Sequence, residues 1–288
     1  MNDTPKPTAG NQPPHGGYLN SLAGAFGHTA LMMLRRKRLV LVAVICLLPV
    51  LLALALVFLS KTVYAHEGNE QFVEMAKTLH INALAPLMAL FFATMLIAED
   101  VENQTIPYML TRPLPRSAWL LGRFFAYLAV TSGILVSSLL LTYAACTALA
   151  KFGFNARDFT LALHYCGVAV MALVGYGAVM AFLGATTRRP IVIGVLLLYG
   201  WQKLATLVPG LIDFLTIQKY TEALLPVLAT QRHNEEIRTA LGTFQKEVYA
   251  VTAPKAFATL LAVAAVFLVF GVLVVRFREY TSARAIGN

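Results

Sequence analysis

Long apolar segments separated by short polar ones make up most of the chain. Several of these segments reach about 20 residues, which at a helical rise of 1.5 Å per residue crosses the roughly 30 Å hydrocarbon core of a membrane. We therefore predict an all-α membrane protein with six transmembrane helices, over residues 39–59, 81–98, 124–150, 159–187, 191–212 and 256–275. An even number of crossings places both termini on the same side of the membrane.

The first apolar segment has a second interpretation, as a secretory signal peptide cleaved near Val63-Tyr64-Ala65. Signal peptides carry an apolar stretch of about 7–15 residues, and residues 39–59 form a longer one that further apolar segments follow. We therefore expect the segment to be retained as the first transmembrane helix.

Two different segments precede the first predicted span. Residues 1–17 are rich in Pro, Gly and polar residues, which predicts a disordered cytoplasmic tail ahead of a single transmembrane domain over residues 18–288. Residues 18–34 then have helical apolar spacing and predict an amphipathic helix at the membrane interface. The alternative is that this helix simply begins the first span, although Arg35-Arg36-Lys37-Arg38 separates the two. The predicted apolar face consists of Leu22, Phe26, Ala30, Met33 and Leu34.

Composition and charge agree with the apolar pattern. Hydrophobic residues make up 58% of the chain and charged residues 13%, against about 45–50% and about 25% in soluble domains. Thirteen of the 23 Lys and Arg residues lie on the side of the N-terminus, several of them next to span ends. Cytoplasmic loops collect Lys and Arg, so we expect both termini in the cytoplasm. The net charge of +9 then requires no nucleic-acid partner.

The cytoplasmic loop between the second and third spans has an unusual composition for a connector. Its acidic start is followed by Thr105, a good helix cap, and by Pro107 in the first turn of a short helix predicted over residues 106–111. Pro113 and Pro115 end that helix. The alternative is an ordinary solvated loop end with prolines that stop a helix.

In order along the chain, the loop resembles the corresponding loop of ABC-2 type exporter permeases. The matching residues are Glu99, Asp100 and Glu102, then Thr105-Ile106, Met109-Leu110, Thr111-Arg112-Pro113, Pro115-Arg116 and Gly122-Arg123. Two residues depart from the pattern, because Gln104 replaces a Gly and Arg123 replaces a Lys. The number of spans and the amphipathic N-terminal helix extend the resemblance over the whole chain.

The resemblance implies a coupling helix that contacts a separate ABC ATPase (nucleotide-binding) subunit. That subunit would bind ATP and Mg²⁺, since this chain has no G-x-x-x-x-G-K-[ST] phosphate-binding loop, and no cofactor is expected on the chain itself. The resemblance also implies a second permease copy, as a homodimer or with a close homologue. Since no eukaryotic sorting signal is seen in the sequence, we expect the protein in a bacterial inner membrane. The implied coupling residues are Glu99, Asp100, Glu102, Thr105, Ile106, Tyr108, Thr111, Arg112 and Arg116.

Two ionisable residues, His164 and Lys203, fall within predicted spans. Such residues are costly in a membrane and often functional, which makes both candidates for a transport pathway or an outer gate. The structural alternative is a neutral, hydrogen-bonded His164 and a Lys203 that extends to the membrane surface.

An extracytoplasmic helical segment is expected between the fifth and sixth spans, over residues 213–255. We predict a pair of short re-entrant or surface helices there, which form either an outer gate or a contact surface for another protein. The second of these helices would present Ile237, Leu241, Phe244 and Val248 on one face.

Other classes of membrane function are less consistent with the sequence. Of the six histidines only His164 falls in a predicted span, and no H-E-x-x-H motif occurs, which disfavours an intramembrane enzyme or a metal site. Secondary transporters usually place carboxylates within their spans, and spans one to four and six contain none. The expected function is ATP-driven export; a component that transmits force to a partner, or a secondary transporter or channel, remains the alternative.

Overall fold

The computed structural model describes residues 17–35, 37–60, 68–102, 115–148, 153–187, 189–201, 205, 214–226, 236–239, 242–245 and 251–277. Its helices are α1 (Tyr18–Leu34), α2 (Lys37–Ser60), α3 (residues 68–102), α4 (Arg116–Cys146), α5 (Ala156–Thr186), α6 (Pro190–Trp201), α7 (Ile217–Ala223) and α8 (Ala253–Phe277). Five of them, α2, α3, α4, α5 and α8, are long and apolar enough to cross a membrane. The predicted all-α membrane protein is confirmed.

The bundle is arranged around α3 and α5. In each of these two helices 72% of the 18-residue apolar segment is buried inside the protein, against 22% in α2 and in α8. Two contacts show that α4 is antiparallel to α5. Tyr127 donates a hydrogen bond to the carbonyl of Leu173, and further along α4 the ring of Tyr143 lies 6.2 Å from that of Phe159, near the start of α5. The two central helices therefore bury their apolar faces against the rest of the bundle.

The last helix, α8, runs parallel to α5. Leu260 packs at Gly175, and the ring of Phe267 lies 5.5 Å from that of Phe182, so both sequences advance in the same direction. The chain must therefore return across the bundle between Thr186 and Ala253. The fifth predicted span, residues 191–212, would supply this return, and within the described residues it corresponds to the shorter helix α6.

The second predicted span is longer than expected, because α3 begins at Gly68 rather than at residue 81. It contains two π-helical segments, Ala76–Leu84 and Ala89–Ala93, on either side of a short α-helical stretch. That stretch contains Pro86, which has no N–H to donate to the carbonyl of Asn82. Wider turns of this kind are rare and occur often at functional sites.

The segment before α8 differs in part from its prediction. Helix α7 supplies one of the two expected short helices, whereas residues 236–245 include an antiparallel pair of strands, β1 (Glu236–Thr239) and β2 (Gly242–Gln245). The predicted helical face through Ile237 and Phe244 is therefore wrong, because these two residues are partners across the pair. Leu241 and Val248 lie outside the described residues.

Helix α1 is separate from α2, as the interfacial interpretation requires. Thr29 and Met33 are buried on its inner face, and Leu22, Phe26 and Ala30 are half-buried. Leu34, the last residue of the helix before the C-cap Arg35, is 56% exposed, so it does not pack against the bundle, and its predicted contact with the membrane interface stays a prediction.

Candidate functional site

The two ends of the predicted coupling loop are described by the structure. Glu99, Asp100 and Glu102 lie in the last helical segment of α3, Met95–Glu102, and Arg116 is the first residue of α4. Five predicted coupling residues fall outside the described part of the chain: Thr105, Ile106, Tyr108, Thr111 and Arg112. Their assignment therefore stays a prediction.

Arg123 connects α4 to the C-terminal part of α3. Its guanidinium donates a hydrogen bond to the carbonyl of Leu96 and lies 4.4 Å from the centre of the Trp119 ring. Although charged, Arg123 is buried, with 6% of its surface exposed. A buried guanidinium needs such partners. Arg123, which stands where the pattern of the resembled permeases has a Lys, thus connects the two helices that flank the loop.

Gly122 lets α1 approach α4 closely. A Cβ atom built at this glycine would lie 2.6 Å from the carbonyl oxygen of Leu22 and 2.8 Å from the Cβ of Ala25. Neither the backbone nor a helical Cβ can move away cheaply, so only glycine fits at this crossing. The amphipathic helix is thus fixed to the first two turns of α4, directly after the loop.

Arg116 contacts a third helix, at the C-terminal end of α8. Its Nη1 donates hydrogen bonds to the carbonyl oxygens of Arg276, at 2.6 Å, and Val275, at 3.3 Å. The last carbonyls of a helix lack N–H partners within that helix, and a cation there also offsets the helix dipole. Arg116 therefore caps α8.

A second glycine contact fixes the C-terminal part of α3 against α5. Thr94 lies between a π-helical segment and the final segment of α3, and the carbonyl oxygen of Thr94 occupies the space that a Cβ at Gly184 would need. Gly177, seven residues earlier on α5, leaves room for the Tyr127 ring, 2.5 Å from its built Cβ. The two glycines are seven residues apart and so lie on nearly the same face of α5, where they let α3 and α4 approach closely.

At the other end of the bundle, helix α7 lies alongside α5. Ile217 packs at Gly175, and the carbonyl of Leu224 accepts a hydrogen bond from His164 Nε2 at 3.1 Å. Gly175 and His164 are 11 residues apart on α5, about 17 Å along its axis. Helix α7 thus lies beside a spanning helix rather than beyond its end, which supports the re-entrant alternative. His164 has a structural partner, and the predicted Lys203 lies outside the described residues.

Helix α7 brings charged side chains against α3. Glu222 Oε1 accepts hydrogen bonds from Gln218, at 2.8 Å, and from Asn82 of α3, at 3.4 Å. Lys219 is 8% exposed, and its Nζ lies 3.7 Å from the centre of the Phe214 ring. The sequence interpretation missed these groups because it placed residues 213–255 outside the membrane.

A buried polar network links three helices through His80. Ser138 of α4 donates its hydroxyl proton to the carbonyl of Cys46 in α2, so its oxygen accepts from His80 Nε2 at 3.1 Å. His80 and Ser138 are 0% and 3% exposed. The expectation that His164 is the one histidine in a spanning helix was therefore wrong: α3 extends outward past residue 81 and includes His80. The spacing of Phe72, Ala76 and His80, all fully buried, could have revealed this extension.

The described residues contain no group of three or more His, Cys, Asp or Glu side chains that could hold a metal ion. The arrangements found are instead contacts between helices: Arg116, Gly122 and Arg123 where the loop enters α4, and His164, Asn82 and Glu222 around α7. They position helices relative to one another, and we refer to the first set as the loop junction.

Comparison with known proteins agrees with this arrangement. No curated protein matches the chain. The sequence pattern of one family, described as ABC-2 family transporter protein, matches residues 30–202. The match covers more than half of the chain and includes α2 to α6, the predicted coupling loop and the residues of the loop junction. The chain belongs to the ABC-2 transporter family, as a multi-pass transmembrane permease.

Proposed function

We propose that the chain is the permease subunit of an ATP-driven ABC-2 type exporter, in which ATP hydrolysis on a separate subunit moves a substrate across the membrane. The observation that carries this proposal is the loop junction. Arg116, Gly122 and Arg123 connect the residues next to the loop with α8, α1 and α3. A loop that a partner moves would thus act on several helices together.

The charges around the loop favour a basic contact surface on the ATPase. Three carboxylates, Glu99, Asp100 and Glu102, lie in the last segment of α3, where the helix dipole disfavours negative charge. A cationic patch on a partner would compensate both the side chains and the dipole. ATP and Mg²⁺ would belong to that partner, since this sequence has no phosphate-binding loop.

The exposed faces of α2 and α8 fit a lipid environment and a second copy of the chain. Both helices are apolar along their length. Only 22% of the 18-residue apolar segment of each is buried within the protein, so most of its residues face outward. We propose an inner-membrane assembly of two permease chains and two ATPase chains with both permease termini in the cytoplasm.

Co-purification from detergent-solubilised membranes tests the proposal. We expect the chain to bring an ATPase subunit with it at a near-equal ratio, and the purified complex to hydrolyse ATP. The double variant Glu99→Ala/Glu102→Ala should lose the ATPase, because it removes two of the three acidic residues that a basic surface on the partner would bind.

The matched control is Arg157→Ala, which removes an exposed charge at the outer end of α5 and should retain the ATPase. Purification of the intact chain without any nucleotide-binding partner would contradict the proposal and favour a secondary transporter or channel. An ATPase that the loop variant retains would place the contact elsewhere on the chain.

A further inference from the structure

Arg116 joins two parts of the chain that are distant in sequence. It is the first residue of α4, directly after Pro115 at the end of the predicted coupling loop. Its two hydrogen-bond acceptors, the carbonyls of Val275 and Arg276, are 159 and 160 residues further along the chain. The Arg116 side chain therefore links the second end of the loop to the last turn of α8.

A packing contact supports the same connection one turn further on. Leu120 Cδ2 lies 3.4 Å from the Cβ position of Gly271. A Cβ at this position would be in van der Waals contact with Leu120, so the Leu120 side chain lies over Gly271 on the face of α8 that Arg116 also reaches. The bonds and the apolar contact together hold the two helix ends in one relative position.

Arg123 provides an instructive comparison. It bonds the carbonyl of Leu96 and so connects α4 to α3, two helices that the loop already joins covalently. Arg116 instead connects the loop to α8, which the loop does not adjoin in the chain. The two arginines of the loop junction therefore have different consequences for movement.

We infer that Arg116 is a positioning residue that transmits loop movement to α8, and that it does not contact the ATPase itself. The inference rests on the proposed function, because the movement is driven by the partner. It divides the predicted coupling residues into two groups. Those before Arg116 would meet the ATPase, and Arg116 would pass the displacement on to the last spanning helix.

Cysteine labelling at the far end of α8 tests this transmission. Ala256 is fully buried in the first turn of α8, so a cysteine there would become accessible when that end moves. The native cysteines Cys46, Cys146 and Cys166 are all buried, and the chain without Ala256→Cys gives their background. The complex with its ATPase would be labelled in nanodiscs with a water-soluble maleimide, with and without Mg²⁺ and a non-hydrolysable ATP analogue.

We expect the nucleotide to change the labelling rate of Ala256→Cys, and Arg116→Ala to abolish that change while the ATPase still co-purifies. Arg116→Lys should restore part of it, because an ammonium can donate to the same carbonyls. The matched control is Arg276→Ala, which removes a positive charge from the same turn but keeps the carbonyl that Arg116 binds. With this control variant, the nucleotide should change the labelling rate of Ala256→Cys as much as it does when Arg276 and Arg116 are both present.

The remaining outcomes overturn the inference in distinguishable ways. If Arg116→Ala loses the ATPase, Arg116 belongs to the partner contact, and the proposed function stands. If the nucleotide response is absent in the parent, persists in Arg116→Ala, or disappears equally in Arg276→Ala, Arg116 does not transmit movement to α8. If no ATPase co-purifies with any form of the chain, the proposed function and this inference fail together.

Discussion

Individual glycines of α5 differ sharply in what a side chain would meet. At Gly184 a methyl group would collide with the backbone carbonyl of Thr94, whereas at Gly167 no atom lies within 4 Å. We expect Gly184→Ala to lower the free energy of unfolding by about 1–3 kcal/mol through overpacking. Thermal unfolding in detergent would measure this.

Gly167→Ala on the same helix is the control for that experiment. It gains helix propensity, about 0.5–1 kcal/mol, without a clash and should be neutral or stabilising. Equal destabilisation by the two substitutions would show that Gly184 does not pack on α3 as described.

The hydroxyl of Ser138 serves two neighbours at once, the Cys46 carbonyl and His80 Nε2. Ser138→Ala leaves His80 buried without this partner, so we expect a loss of about 1–2 kcal/mol in the free energy of unfolding. Ser137→Ala is the matched control, because its exposed hydroxyl bonds within its own helix to Ile134. If both variants have the same stability, the network contributes nothing measurable.

At the residue scale, a contact can be predicted from the sequence where its signal is a local pattern. Gly177 and Gly184 are seven apart and therefore on nearly the same face of α5, and this spacing is sufficient to indicate close packing. Asn82 and Glu222 were missed, because each finds its partner on a helix distant in sequence. No spacing along one helix shows which neighbour will face it.

The short helix α7 is held against α3 through one carboxylate. Glu222 accepts from both Gln218 and Asn82, so Glu222→Leu should release the helix, with faster amide hydrogen exchange over residues 217–223. Glu222→Gln retains an acceptor oxygen and should exchange more slowly than Glu222→Leu. Unchanged exchange in Glu222→Leu would mean that apolar contacts, such as Ile217 on Gly175, are sufficient.

Elements were predictable in proportion to their length and apolar character. The long helices follow from apolar segments of about 20 residues, and α8 ends at Phe277, close to the predicted end at Val275. The strand pair at residues 236–245 was mistaken for a helix because Ile237, Leu241 and Phe244 also fit a helical period. A short amphipathic segment can fit both the helical period and the strand period, and whether it forms a strand depends on the residues available to pair with it.

The orientation of the whole molecule can be tested with two exposed positions. Phe154 lies between α4 and α5 and is 77% exposed, and Arg35 follows α1. We expect a membrane-impermeant maleimide to label Phe154→Cys in intact cells, and Arg35→Cys only after the membrane is permeabilised. The opposite result would reverse the orientation derived from the Lys and Arg distribution.

At the scale of the molecule, the sequence was sufficient for class and family but not for the loop junction. Apolar segments and the ordered loop residues indicated an ABC-2 type permease, and the family match supports it. The connection from Arg116 to α8 could not be predicted, because it depends on where the chain returns after 160 further residues.

The π-helical segments of α3 change the direction in which side chains point on either side of them. Each wider turn shifts the residues beyond it around the helix axis, by about 100° for one residue. Deleting one residue from Ala76–Leu84 would turn the outer half, including Phe72, away from its neighbours. The same deletion would leave Thr94 and Leu96 seated against α5 and α4. Insertions and deletions in these turns would thus change which residues of one end of α3 face its neighbours, while the contacts of the loop junction stay the same.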